Sequence, residues 1–135
     1  RNGLKLCTED SIIAVHDGVR PLIHPDLILN LYHEAELNSA VIPVCPILES
    51  IRKTEGEGSK ALDRSQYYSV QTPQCFSSDL LKNAYQQDEQ ETFTDDASVV
   101  EALGKDVQLF KGERTNIKLT TPEDFVFAEA LLNRP

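Results

Sequence analysis

A chain of 135 residues, 40% hydrophobic and 26% charged, is long enough for one domain with a real core, or for the larger part of one. Its formal charge of −9 excludes the broad basic face that wholesale nucleic-acid binding needs, yet leaves room for a small anion held by a few local cations. The longest strongly apolar run, residues 41–48, is short and holds prolines, so it excludes a bilayer span.

The N-terminus carries no signal-peptide pattern. Cys7, Cys45 and Cys75 are odd in number and lack metal-ligand spacing, which predicts reduced thiols in a cytoplasmic protein. The chain opens at Arg1 and contains no methionine, the pattern expected of a fragment or a processed product.

In chain order, residues 2–7 read as a helix end or a loop. Ile12-Ile13-Ala14-Val15 are apolar and mostly β-branched, and predict a strand buried on both faces. That strand runs into His16-Asp17-Gly18-Val19-Arg20-Pro21, a polar turn closed by proline. In open α/β sheets ligands bind beyond the carboxyl ends of the strands, which puts Asp17 and Arg20 where a phosphate or metal-phosphate would be met. An ordinary Asp-Gly turn with a solvated arginine accounts for the same residues equally well.

Residues 25–37 are patterned as a helix: Pro25 suits the first position, Asp26 the positive end, and Leu27, Leu31 and Ala35 recur every four residues. His24 and His33 have no partner at metal-ligand spacing and are expected at the surface. Asn38-Ser39 ends the helix, residues 40–44 form a second buried strand, and strand–helix–strand makes a right-handed βαβ unit by default.

Residues 49–54 are polar and extended, 55–60 a turn or mobile tip, and 61–70 a returning strand. A hairpin this polar has little to bury in its own domain, so it is a flap or packs on another subunit. It carries Arg64. After Thr72-Pro73-Gln74, Ser77 or Ser78 caps a helix over residues 79–86, with Leu80, Leu81, Ala84 and Tyr85 as its buried stripe. Thr94 is expected to cap the next helix, which Gly104 stops. Residues 106–110 and 115–120 read as short strands. Thr121-Pro122-Glu123-Asp124 opens the last helix with a threonine cap and an early proline.

Chemistry is sparse in these patterns. Asp95-Asp96 invites a metal, but acids in a helix's first turn are ordinary capping chemistry. Lys118 stands in an extended, partly apolar stretch where a lysine has no packing reason to be, although it can snorkel to solvent. His16-Asp17 lacks the further histidines of a metal-dependent phosphohydrolase. No serine–histidine–acid order, G-x-S-x-G elbow or phosphate-cradling glycine loop is present.

Taken together, His16-Asp17-Gly18-Val19-Arg20-Pro21, Asp63-Arg64, Thr72-Pro73-Gln74, Thr94-Asp95-Asp96-Ala97-Ser98 and the run from Asn116 to Asp124 resemble the 2-C-methyl-D-erythritol 4-phosphate cytidylyltransferases, in order and spacing. The resemblance implies an α/β, Rossmann-like nucleotidyltransferase three-layer sandwich, present in part, with a protruding β-arm. Residues 1–135 would be the C-terminal part of a single cytidylyltransferase domain, and 46–70 the arm that interlocks a homodimer. It implies that CTP and methylerythritol phosphate combine with release of pyrophosphate, with Mg²⁺ or another divalent cation. By motif, Asp17 falls near the metal-nucleotide and Arg20 near the sugar phosphate. Ser50 stands where the family usually has threonine in the arm's first strand. Arg64 matches the arginine that reaches the neighbouring subunit's site, Thr72 and Thr94 match substrate contacts, and Lys118 matches the lysine that positions the attacking phosphate.

The family's glycine-rich loop, whose arginine and lysine hold the CTP phosphates, lies upstream of Arg1. The 135 residues alone are therefore expected to be inactive. The nearest alternative is a ribitol 5-phosphate cytidylyltransferase; a non-catalytic dimerisation module is the alternative should the chain begin at Arg1.

Overall fold

The computed structural model describes residues 2–133. A 3-10 turn, Gly3–Leu6, precedes β1 (Ile12–Val15) and α1 (Pro25–Asn38). There follow β2 (Ala40–Pro46), β3 (Arg52–Glu55), β4 (Gly58–Ala61), a 3-10 turn at Arg64–Gln66, β5 (Tyr68–Val70) and β6 (Gln74–Ser77). The chain ends with α2 (Ser78–Ala84), α3 (Asp96–Glu101), β7 (Gln108–Lys111) and α4 (Pro122–Leu132).

Helix α1 forms for the reasons its sequence states. Pro25 sits in the first turn, where an N–H has no intrahelical partner to lose. His24 Nδ1 accepts the Asp26 N–H at 3.3 Å, and the chain turns out through Ser39 in the left-handed region. The stripe Leu27, Leu31, Ala35 is fully buried. Burying a leucine stabilises by about 1.5–3 kcal/mol, so this stripe is what docks the helix.

Strand β2 is the axis of the sheet. Its residues alternate between two packed faces. Ala40, Ile42 and Val44 join Phe76 under α2 and α3, against Leu81, Ala84, Ala97, Val99 and Val100. Val41 and Cys75 face the other way, onto the α1 stripe. The sheet is thus covered by α1 on one side and by α2 and α3 on the other, the expected three layers. One edge of β2 takes β7 in parallel; the other takes β5 and then β6, both antiparallel. The chain between β5 and β6 breaks at 71–73, and that break matters for the site.

Several expectations change. The strand β1 is half-buried, not buried, because among the described residues it hydrogen-bonds only to β6. The β1–α1–β2 unit is real, but β6 lies between its two strands and runs antiparallel to both, so they are not neighbours. β6 itself was not expected: Gln74-Cys75-Phe76-Ser77 is too short and mixed to read as a strand, yet its neighbours bury Phe76 and Cys75 completely. Residues 61–70 are not one returning strand. The hairpin partner is β4, and the 3-10 turn at Arg64–Gln66 separates it from β5, which belongs to the main sheet. Residues 115–120 form turn and loop instead of a strand.

The caps shift slightly. Asp95, not Thr94, caps α3, in a reciprocal box with Ser98. Gly104 closes the turn after α3 with φ 71°. At α4 the Asp124 carboxylate accepts the Thr120 and Thr121 N–H groups at 2.8 and 2.7 Å, as an acid in the first turn should.

Candidate active site

The carboxyl end of β1, the β5–β6 break, the start of α3 and the 113–119 loop converge on one cleft of about 470 Å³. Asp17, Arg20, Thr72, Thr94 and Lys118 line it together with His16 and Gln74. Ser50 and Arg64 do not. Ser50 lies in coil before β3 and is exposed. Arg64 is exposed on the arm and donates to the Leu48 carbonyl.

Asp17 is the hub. Its backbone carbonyl accepts the Arg20 N–H at 3.0 Å, which folds residues 17–20 into a tight turn. That turn returns the guanidinium to its own carboxylate: Arg20 Nε lies 3.0 Å from Asp17 Oδ2. Lys118 Nζ meets the same oxygen at 3.2 Å. Burial acts to raise the Asp17 carboxyl, but the hydrogen bonds and charges of Arg20 and Lys118 outweigh it and hold it below its ordinary value. The two cations differ in role. The Arg20 side chain is only 10% exposed and also donates through Nη1 to the Asn116 carbonyl at 2.8 Å, whereas Lys118 is 47% exposed. Lys118 is open to a ligand; Arg20 chiefly fixes the carboxylate.

Residues the sequence did not single out hold this arrangement. Asn116, fully buried, donates Nδ2–H to the Thr72 carbonyl at 2.9 Å. The Gln71 side chain accepts the Glu113 N–H and donates to the Glu113 and Asn116 carbonyls, stitching the β5–β6 break to the loop that carries Lys118. The Leu119 N–H donates to the Val19 carbonyl at 2.8 Å and ties that loop to the Asp17 turn. Gly112 makes the close approach possible: a Cβ there would run into Gln71 Oε1 and stand 3.2 Å from the Val44 backbone. Gln74 does the same for α3. Its amide donates to Asp95 Oδ2 at 2.8 Å and accepts the Ala97 N–H at 2.9 Å, which holds the Thr94 segment against the sheet. The only sequence signal for these side chains was a polar residue inside a short motif.

A thiol or a caged metal does not explain the site. All three cysteines are unpaired, and burial pushes the Cys75 thiol up to about 12. Among the described residues no group of three or more His, Cys, Asp or Glu could hold a metal ion. Asp95 and Asp96 are committed elsewhere: Asp95 to Ser98 and Gln74, and Asp96 to the Tyr85 hydroxyl at 2.5 Å. Both arginine and lysine use Asp17 Oδ2, so Oδ1 is the carboxylate oxygen left for a cation that arrives with its ligand. No helix of the described residues is long and apolar enough to cross a membrane.

The profile of the 2-C-methyl-D-erythritol 4-phosphate cytidylyltransferases matches residues 1–134. The chain is 48% identical over 132 residues to the protein of that name from Phocaeicola vulgatus, covering 98% of this chain and 60% of the relative. A Bacillus velezensis protein of the same name is 43% identical over 134 residues, with 96% and 58% covered. The crystal structure of 2-C-methyl-D-erythritol 4-phosphate cytidylyltransferase from Thermus thermophilus superposes with a TM-score of 0.85 at 34% identity, covering 97% of this chain and 66% of that one. This chain therefore spans about 60% of the length of the curated relatives it matches.

Proposed function

The chain belongs to the 2-C-methyl-D-erythritol 4-phosphate cytidylyltransferase family, a family of nucleotidyltransferases, and on that premise we propose what the complete gene product does. It transfers the cytidylyl group of CTP to 2-C-methyl-D-erythritol 4-phosphate, giving 4-diphosphocytidyl-2-C-methyl-D-erythritol and pyrophosphate in the non-mevalonate route to isoprenoids. One observation carries the reading: Lys118 and Arg20 converge on Asp17 at the end of β1, in the cleft that Thr72 and Thr94 also line.

An oxygen of the acceptor phosphate attacks the α-phosphorus of CTP. The α–β bridging bond breaks, and pyrophosphate leaves with its electron pair. A dianion must approach a polyanion, so fixed cations have to offset the repulsion, and no covalent enzyme nucleophile is needed. Among the described residues Lys118 is the open cation of this cleft, and it holds the acceptor phosphate. Arg64 stands outside its own cleft, in the 3-10 turn that follows a hairpin whose strands are wholly exposed, which suits an arm that enters the neighbour's cleft in a homodimer. Ser50, at the base of that arm, travels with it. Thr72 and Thr94 contact the substrate. Magnesium is usually bound through one or two carboxylates plus substrate phosphates; the Asp17 carboxylate would hold such an ion with the nucleotide, and the ion would supply charge neutralisation at the triphosphate. Three unpaired thiols suit a reducing, cytoplasmic setting.

The test is pyrophosphate release by the complete gene product with CTP and Mg²⁺, offered methylerythritol phosphate or ribitol 5-phosphate. Faster turnover of the first is expected. Preference for ribitol 5-phosphate would move the assignment to that substrate, and no release with either would overturn it.

A further inference from the structure

We propose that His16 is a positioning residue of this cleft, fixing the Thr72 hydroxyl so that Thr72 meets the acceptor substrate as a hydrogen-bond acceptor. The inference rests on the cytidylyl-transfer reading for its substrate and on geometry for its mechanism. The His16 ring bridges two groups: Nε2 lies 3.2 Å from the Arg20 carbonyl, and Nδ1 lies 3.0 Å from Thr72 Oγ1. A carbonyl only accepts, so Nε2 carries the proton. In a neutral ring Nδ1 is then an acceptor, and it takes the single proton of the Thr72 hydroxyl.

The same Oγ1 accepts the Asp17 N–H at 2.9 Å, which uses one of its two lone pairs. What remains toward the cleft is one lone pair. An ionised phosphate oxygen cannot use it, because it too only accepts; a substrate hydroxyl can. Thr72 therefore reads the polyol part of the acceptor and leaves the phosphate to Lys118. The Nε2 contact with the Arg20 carbonyl sets the orientation of the ring; the turn that returns Arg20 to Asp17 is closed by its own backbone, the Arg20 N–H on the Asp17 carbonyl.

Two measurements on the complete gene product test this. Long-range ¹H–¹⁵N correlation on histidine-labelled protein at pH 8, without substrates, should show His16 protonated at Nε2 and bare at Nδ1; the opposite tautomer overturns the proposal. In steady-state kinetics, His16→Phe should raise KM for methylerythritol phosphate about three- to tenfold, the worth of one neutral hydrogen bond, with KM for CTP within about twofold. His16→Asn, whose side-chain oxygen can still accept the Thr72 proton, should recover most of that loss. Because His16 acts through the hydroxyl, adding His16→Phe to Thr72→Val should cost little more than Thr72→Val alone; multiplicative losses, or no recovery in His16→Asn, overturn the proposal. Wild-type protein that turns over no methylerythritol phosphate would defeat the substrate reading alone, since the tautomer would still decide the role of the ring.

Discussion

Asp17 takes two cations on one carboxylate oxygen, and this pairing gives its stability a pH dependence of definite sign. Its folded pKa lies below the ordinary value of 3.8 because Arg20 and Lys118 outweigh the effect of burial. The folded state therefore favours the ionised carboxylate. That contribution is complete above the unfolded value and is lost as pH falls through the lowered folded value. Asp17→Asn should unfold more easily than wild type at pH 7, by about 1 kcal/mol for a partly exposed pair. The gap should shrink below about pH 4 as the wild-type carboxyl gains its proton. Urea titrations at pH 7, 4 and 3 would show it, and a gap that widens toward acid would contradict the assignment.

Strand β6 and helix α3 are joined by Gln74, and their coupling can be broken without touching a cation. The side chain is 1% exposed, with both ends of its amide used, on Asp95 and on the Ala97 N–H. Gln74→Leu keeps the bulk but leaves a buried backbone donor unmet, at a cost of about 1–3 kcal/mol. The start of α3 should then loosen, and Thr94 with it. We expect a lower urea midpoint and faster hydrogen exchange at residues 95–98, while the α1 stripe on the opposite face of the sheet keeps its protection. Equal loss of protection on both faces would show that Gln74 only adds global stability.

The assembled protein is where Arg64 and Lys118 meet, if the arm enters a neighbouring cleft. Neither charge should matter for CTP binding, and losing a charge contact made in the transition state costs about 3–4 kcal/mol, so Arg64→Ala and Lys118→Ala should each slow turnover about a hundredfold or more. Mixing the two variants gives heterodimers in which one cleft has lost both charges and the other neither. Activity should recover toward about half of wild type per heterodimer. A mixture that stays as slow as its parents after proven subunit exchange would show that Arg64 does not act in trans.

Local features carried far in this chain. The α1 stripe, the Pro25 and Pro122 starts, the Asp124 cap and the turn after β1 were all legible, because helix periodicity and capping depend on residues within a turn or two of each other. The ordered motifs identified the family; of the seven side chains they implied, Asp17, Arg20, Thr72, Thr94 and Lys118 line one cleft, whereas Ser50 and Arg64 lie outside it. Pairing between distant segments was not legible. The sequence shows β6 as a short, mixed tetrad; only its position between β1 and β2 makes it a buried strand. It shows Lys118 as a lysine out of place, and only the loop contacts through Asn116, Gln71 and Leu119 bring that lysine to Asp17. Side-chain chemistry and short-range geometry are written along the chain, whereas which carboxylate meets which cation is decided by hydrogen bonds between segments far apart in sequence, and those exist only once the three layers have closed.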